Sequence, residues 1–435
     1  MDFNHEKSRA MWPRAAKVMP LGVSSNFRYW GSEDTLFVER AKGPYLWDID
    51  GNRFIDYRLG FGPIILGHAC DEVDARVREA LANGVVYAFT QPLEVSVAEK
   101  IVEMCPAVEM VRLTNTGSEA VMHALRVARA YTGREKIIKF EGQYDGMCDY
   151  VLFSTYTDPK SYGNRRSPIP IPSTSGIPRA LHDLIITLPF NDFEVFETTI
   201  RRTWHEVAAI LVEPIMGNCA AIEPLPGWLE LLRARCDEYG IVLIFDEVKT
   251  GFRIARGGAQ EVYGVLPDLA TYAKALGNGY PVAAFGGKRE IMEVVGVGVA
   301  CGGTYAGNVV GVTAAAATLE LLANQPILET IAERGRRLQA GLKRIFDDAG
   351  IPMTICGHPA MFSPVIGLSE KPTDQRSWTR SDHDYYLRLI RAAYARGVMP
   401  DYDPREPWFM SYAHSDAVVD ETLNVMEDAV RAVKR

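Results

Sequence analysis

Apolar residues recur along this chain with two different periods. In LFVERAKGPYLWDIDGNRFIDY they alternate with polar ones, as on a half-buried strand, and DGN marks a hairpin turn. In EVDARVREALANG and LEVSVAEKIVEMC they return every three to four residues, as on an amphipathic helix. Between about residues 110 and 300 the pattern changes. Short apolar runs (MVRLTN, KIIKF, LIITLPF, AAILVEPI, IVLIFDEV, LATYAK, VAAFGG) are separated by the helical stretches SEAVMHALRVARAYTG, DFEVFETTIRRTWHEV and WLELLRARCDEYG. Such runs predict strands buried on both faces, and their alternation with helices predicts a mostly parallel, helix-covered sheet. The helix GVTAAAATLELLANQ then opens a smaller α+β part that ends in the helix DAVVDETLNVMEDAVRAVKR. The least regular stretch is 154–179, with five prolines. A loop of that length in a compact protein is a lid, a binding loop or an idle surface loop.

The chain has 435 residues, 47% hydrophobic and 23% charged, which excludes a disordered or collagen-like protein. A net charge of −8 argues against nucleic acid as the main partner, because a phosphate backbone demands a basic face. No apolar run reaches the roughly 18 residues that span a bilayer. The start, MDFNHEKSRAMWPRAAKVMP, lacks the apolar core of a secretory signal. Seven scattered cysteines without a CxxC pair read as reduced thiols of a cytoplasmic protein, and no His/Cys cluster suggests a metal.

Three segments carry candidate chemistry. In Asn115-Thr116-Gly117-Ser118-Glu119 a strand ends and a helix begins. Gly117 lets the backbone approach a ligand, Ser118 can cap the helix, and the free N–H groups can cradle a phosphate. In Ile244-Phe245-Asp246-Glu247-Val248 an acid follows an apolar strand, where ligands bind in open α/β sheets. Taken alone, Asp246 fits metal ligation, capping or pairing to a pyridinium. In Thr271-Tyr272-Ala273-Lys274-Ala275-Leu276-Gly277 a lysine sits in apolar surroundings, where desolvation makes its amine a nucleophile. Asp246 lies 28 residues ahead of Lys274. A phosphate cradle, an acid and an apolar lysine together fit pyridoxal 5′-phosphate.

At this point the sequence resembles the class III, fold-type I aminotransferases, and within them the glutamate-1-semialdehyde 2,1-aminomutase-like branch. The motifs that carry the resemblance run over nearly the whole chain: GVSSNFR, GPIILGH, NTGSEAVMHALRVARAYTGREKIIKFEGQYDG, LVEPIMGN, IFDEVKTGFR, PDLATYAKALGNGYPVAAFGG and GGTYAGN. The resemblance implies an α/β fold with a large cofactor domain, residues 71–315, and a small α+β domain, residues 316–435, to which residues 1–70 contribute. It implies that Lys274 forms the Schiff base with the cofactor, that Asp246 pairs with the ring nitrogen and that Val248 packs on the ring. Gly117 and Ser118 match the phosphate loop, Tyr144 the aromatic on the other ring face, and Asn218 a residue near the ring oxygen. Thr304 matches a phosphate contact supplied by a second copy, which implies a homodimer with shared active sites. Arg28 matches the place where the branch holds a substrate carboxylate, Phe61 an aromatic pocket position, and Glu406 an acid near the site. Tyr87 is expected to help shape the pocket.

The leading expectation is therefore a transfer of an amino group between a carboxylate-bearing amine and a carbonyl acceptor. The second is intramolecular: the same chemistry, with the intermediate retained and the amine returned to an adjacent carbon. An epimerase ranks third, and a non-catalytic binding protein lower still, since Lys274 and Asp246 are both present. Three features depart from the branch. Asp145 follows Tyr144 where the family often has histidine, Lys249 follows Asp-Glu-Val where the branch has a small or apolar residue, and Arg165 and Arg166 make the 154–179 loop more basic.

Overall fold

The computed structural model describes residues 4–433, so the first three residues of the 1–70 segment and the last two of the 316–435 segment lie outside the described residues. All seven apolar runs are strands of one sheet, in the order Met110–Thr114, Ala283–Gly287, Leu269–Tyr272, Val242–Asp246, Val207–Val212, Lys136–Phe140 and Ile185–Leu188. Ala283–Gly287 runs antiparallel to both neighbours, and the remaining pairs are parallel.

The continuous apolar runs have a simple cause. Every residue of Val207–Val212 and Val242–Asp246 is buried, because helices cover both faces of the sheet. Val242 and Ile244 pack into a cluster with Ala120, Val121 and Ala124 of the helix Gly117–Thr132. Their neighbours Leu243 and Phe245 turn the other way, into the core that holds Trp228 and Leu232. Trp228 begins the helix Trp228–Tyr239 and is ringed edge-on by Phe140, Phe190, Phe193 and Phe196 at 5.3–5.7 Å. Edge-to-face contacts of this kind add to the burial of each ring.

The predicted hairpin forms between Tyr45–Asp48 and Arg53–Asp56. Its second strand pairs in parallel with Val398–Met399, so the beginning of the chain folds onto its C-terminal third. Arg253 fastens the same region. It is wholly buried and donates to the carbonyls of Gly62, Ala360 and Met410. Burial brings its pKa down to about 9. Three segments far apart in sequence are thereby tied to one side chain.

The irregular stretch 154–179 is anchored. It holds a short helix, Pro159–Tyr162, and a two-residue hairpin. Tyr162 is fully buried, and its hydroxyl meets Ser154, Thr157 and Gln375. Arg165 pairs with Asp192 and Asp374, each at 2.5 Å, and Arg166 lies 3.4 Å from Glu194. The basic character of the loop is thus used in its own anchoring. Among the described residues no helix is long and apolar enough to cross a membrane, and no His/Cys/Asp/Glu group is arranged to hold a metal.

Candidate active site

The parallel strands end on one edge of the sheet, and five chain segments leave it there: 115–118, 141–146, 213–218, 246–249 and 273–274. They enclose a cavity of about 150 Å³. Gly117, Ser118, Tyr144, Asp246, Val248 and Lys274 all line it. Topology alone brings them together, since the C-terminal edge of a parallel sheet is where successive crossovers leave a crevice.

The helix start differs from the sequence expectation in one respect. Thr116, not Ser118, is the cap: its hydroxyl accepts from Glu119 N at 3.2 Å, while the Glu119 carboxylate accepts from Thr116 N at 3.2 Å and Asn115 N at 2.7 Å. Threonine followed three residues later by glutamate is the reciprocal capping box. Ser118 therefore falls one position inside Gly117, and its hydroxyl accepts from Met147 N at 3.1 Å. The N–H groups of Gly117 and Ser118 stay available at the positive end of the helix dipole. Both glycines here are dictated by space. A Cβ on Gly117 would stand 3.0 Å from the Val248 side chain, and one on Gly146, whose φ is +101°, would stand 2.6 Å from Ser118 Oγ.

Asp246 is 4% exposed. Val248 N and the Thr271 hydroxyl both donate to its Oδ1, at 2.9 and 3.2 Å. Burial, then the neighbouring Asp145 and Glu213 carboxylates, push its carboxyl well above the usual range. A cation placed against it would relieve all three effects. Lys274 follows the strand Leu269–Tyr272 and sits at φ +53°, a left-handed conformation that side chains rarely adopt and that functional sites often hold. Burial, then the charge of Lys249, pulls its ammonium down to about 7. The neutral, nucleophilic amine therefore becomes the main form above that value. Capture of an aldehyde by Lys274 should rise through a midpoint at about pH 7, measured as the rate of covalent incorporation against pH. A midpoint near 10.5, the ordinary lysine value, would contradict this reading.

Beside this cavity lies a buried ion pair that sequence reasoning missed. Lys249 Nζ reaches Glu406 Oε2 at 2.7 Å and the Gly217 carbonyl at 2.7 Å, and Asn218 Nδ2 donates to Glu406 Oε1. The side chains of Lys249 and Glu406 are only 5% and 11% exposed. Asn218 Oδ1 is buried and has no donor among the described residues. Glu406 is thus shared between Asn218, bonded to one oxygen, and Lys249, which read in the sequence only as a departure and pairs with the other.

The other expected residues fall elsewhere. Arg28 and Phe61 line a second cavity of about 480 Å³, with Arg28 itself exposed. Phe27 connects the two cavities, its ring lying 6.2 Å from Phe61 and 5.9 Å from Tyr144. Tyr156, from the 154–179 loop, closes this aromatic group at 5.6 Å from Phe27 and 5.9 Å from Tyr144. Tyr87 and Thr304 share a third cavity, about 640 Å³, which none of the Lys274 group lines. Both are exposed in the single chain, as are Phe89 and Tyr305 beside them.

The donor set suits a phosphorylated pyridine aldehyde. Two helix N–H groups and a hydroxyl answer the phosphate, a buried carboxylate answers a ring cation, and an amine of lowered pKa answers the aldehyde. The two glycines mark a cradle that a Cβ would fill.

Comparison with known proteins agrees with this chemistry. The family model described as "Aminotransferase class-III" matches residues 29–430. A glutamate-1-semialdehyde 2,1-aminomutase of Methanopyrus kandleri is 41% identical over 426 residues, 98% of this chain and 97% of that protein. Among solved structures, an omega-transaminase from Sphaerobacter thermophilus superposes with a TM-score of 0.91 at 33% identity, covering 97% of this chain and 96% of that one. A transaminase with PLP bound superposes at 0.90 with 27% identity, covering 99% and 98%.

Proposed function

This chain belongs to the class-III aminotransferase family, and from that premise we propose that it binds pyridoxal 5′-phosphate at Lys274 and shifts an amino group between adjacent carbons of a small, carboxylate-bearing substrate. The observation that carries the cofactor reading is the convergence of Lys274, Asp246 and the Gly117–Ser118 helix start on one cavity. The intramolecular outcome draws support from likeness to aminomutases over almost the full length, which favours it above the intermolecular transfer that the sequence alone placed first.

Bound pyridoxal 5′-phosphate would supply an aldehyde that takes up the amine and a ring that accepts the electrons of a broken C–H bond. The residues of the chain do the rest. Gly117 N, Ser118 N and Ser118 Oγ would hold the phosphate. Asp246 would hold a positive charge at the ring nitrogen. Val248 and Tyr144 would flank the ring, and Asn218 would face its oxygen. Lys274 Nζ, its pKa lowered to about 7, would take a proton from the substrate carbon and return it near neutral pH. Phe27, Tyr144 and Tyr156 close the mouth and exclude water, and Phe61 shapes the pocket beyond it. Arg28 orients the substrate carboxylate with its planar fork.

The placement of Thr304 and Tyr87 away from Lys274 is what a homodimer with shared sites would require, each copy completing the other's phosphate site with Thr304. The buried Lys249–Glu406 pair favours a second reading, intermolecular transfer. A free Glu406 carboxylate could hold the second amine of a diamine intermediate, whereas here it is matched by Lys249.

One experiment separates the two. The purified enzyme is given glutamate-1-semialdehyde alone, then a panel of amino donors with pyruvate or 2-oxoglutarate. Isomerisation without any keto acid, and without exchange of label into an added keto acid, is expected. Turnover only when an external acceptor is present would sink the intramolecular reading.

A further inference from the structure

Asp145 is a carboxylate with an unanswered oxygen. Its side chain is wholly buried, and it lines the same cavity as Glu213 and Asp246. Oδ1 accepts from Gln143 Nε2, but Oδ2 receives no hydrogen bond. Lys139 stands 3.3 Å from Oδ2, yet its N–H groups are directed to the carbonyls of Gln143, Val151 and Phe153 at 3.0, 2.5 and 3.2 Å. Asp246 lines the same cavity, and its carboxyl acts on that of Asp145. Two ionised carboxylates in contact repel each other and leave each other's lone pairs unmet. One proton between them removes both penalties.

We infer that Asp145 and Asp246 share a single proton before the cofactor binds, and that the pair gives it up when a ring nitrogen takes its place against Asp246. The proton count closes in either case. If the ring nitrogen arrives bare, the proton moves to it. If the nitrogen arrives protonated, the shared proton leaves for solvent. Afterwards Asp246 is ionised against the ring cation, and Asp145 is ionised beside Lys139. Asp145 is thus a positioning residue that acts through Asp246.

The surroundings set the limits of this exchange. Lys139 comes from the strand Lys136–Phe140, and Gln143 and Tyr144 from the loop that follows. Glu213 accepts from Tyr144 N and Gly217 N, both at 2.8 Å, and burial beside Asp145 pushes it up to about 7. Lys249 and Lys274 line the cavity with them, and the Thr271 hydroxyl already donates to Asp246. Apart from the Lys139 ammonium at 3.3 Å, none of these places a donor on Asp145 Oδ2. The proposal rests on the cofactor reading above and is indifferent to whether the amine is moved within or between molecules.

The test is calorimetric. Full-length cofactor-free protein is titrated near pH 7 with pyridoxal 5′-phosphate in buffers of different ionisation heat, for the natural chain and for Asp145→Asn. Asparagine can donate to Asp246, so that carboxylate needs no shared proton. The natural chain should release about one proton more, or take up about one fewer, than the variant. An infrared difference spectrum gives a second readout. Loading the natural chain should abolish a carboxylic-acid carbonyl band that Asp145→Asn lacks from the start. Equal proton counts, or a natural chain whose spectrum loses no such band, would overturn the inference. Cofactor that bound away from Lys274, found by reductive trapping, would overturn the reading beneath it as well.

Discussion

Lys274→Ala should abolish covalent attachment of the cofactor and lower kcat by at least about 10⁴-fold, because the variant loses both the nucleophile and the group that shuttles the substrate proton. The fold should survive. Alanine meets the same left-handed backbone strain at φ +53° that lysine already tolerates. Stability should in fact rise, with a definite pH dependence. The Lys274 amine has a pKa of about 7 in the folded chain against 10.5 ordinarily, so the folded state binds fewer protons than the unfolded one between those values. The native protein therefore gains stability as pH rises through that window. Removing Lys274 removes this term, so the variant's advantage should be largest near pH 7 and fade toward pH 10. Denaturant unfolding of both proteins at the two pH values would check it. An advantage independent of pH would show that the lysine is not held in a cation-hostile place.

Asp246→Asn is expected to slow turnover by about 10²–10⁴-fold, mainly through kcat, while cofactor still binds. The amide retains an oxygen for Val248 N and Thr271, so the local geometry persists. What disappears is the negative charge that holds a proton on the ring nitrogen, and with it the electron sink. Steady-state kinetics with the cofactor stoichiometry measured in parallel distinguishes this from simple loss of binding. Near-normal kcat in a fully loaded variant would refute the role of Asp246.

Much of this site was legible in the sequence because its parts are local. A strand end, a capping box and a lysine before a glycine turn each fit within a few residues, and the alternation of strands and helices says that such strand ends share one edge. The cap illustrates the limit of that reading. Both Thr116 and Ser118 are capping residues, and only the glutamate three positions after Thr116 decides between them. That signal was present in the sequence and was passed over.

Other features are not local. Glu406 and Lys249 are 157 residues apart, and no spacing rule joins them. No motif singles out Phe27, whose ring lies near both Phe61 and Tyr144 only in the folded chain. Arg165 and Arg166 make the 154–179 loop more basic in sequence, and in the fold they fasten it to Asp192, Asp374 and Glu194. In each case a side chain's partner lies in a segment that only the folded chain brings near. Thr304 and Tyr87 extend the point, since a single chain leaves them outside the Lys274 cavity.

The account depends most heavily on a bond at one nitrogen. Borohydride reduction of the cofactor-loaded protein, followed by peptide mapping, measures it directly. The pyridoxyl label should be found on the peptide that contains Lys274 and on no other. A label on a different lysine, or none on fully loaded protein, would contradict the assignment of this cavity as the active site.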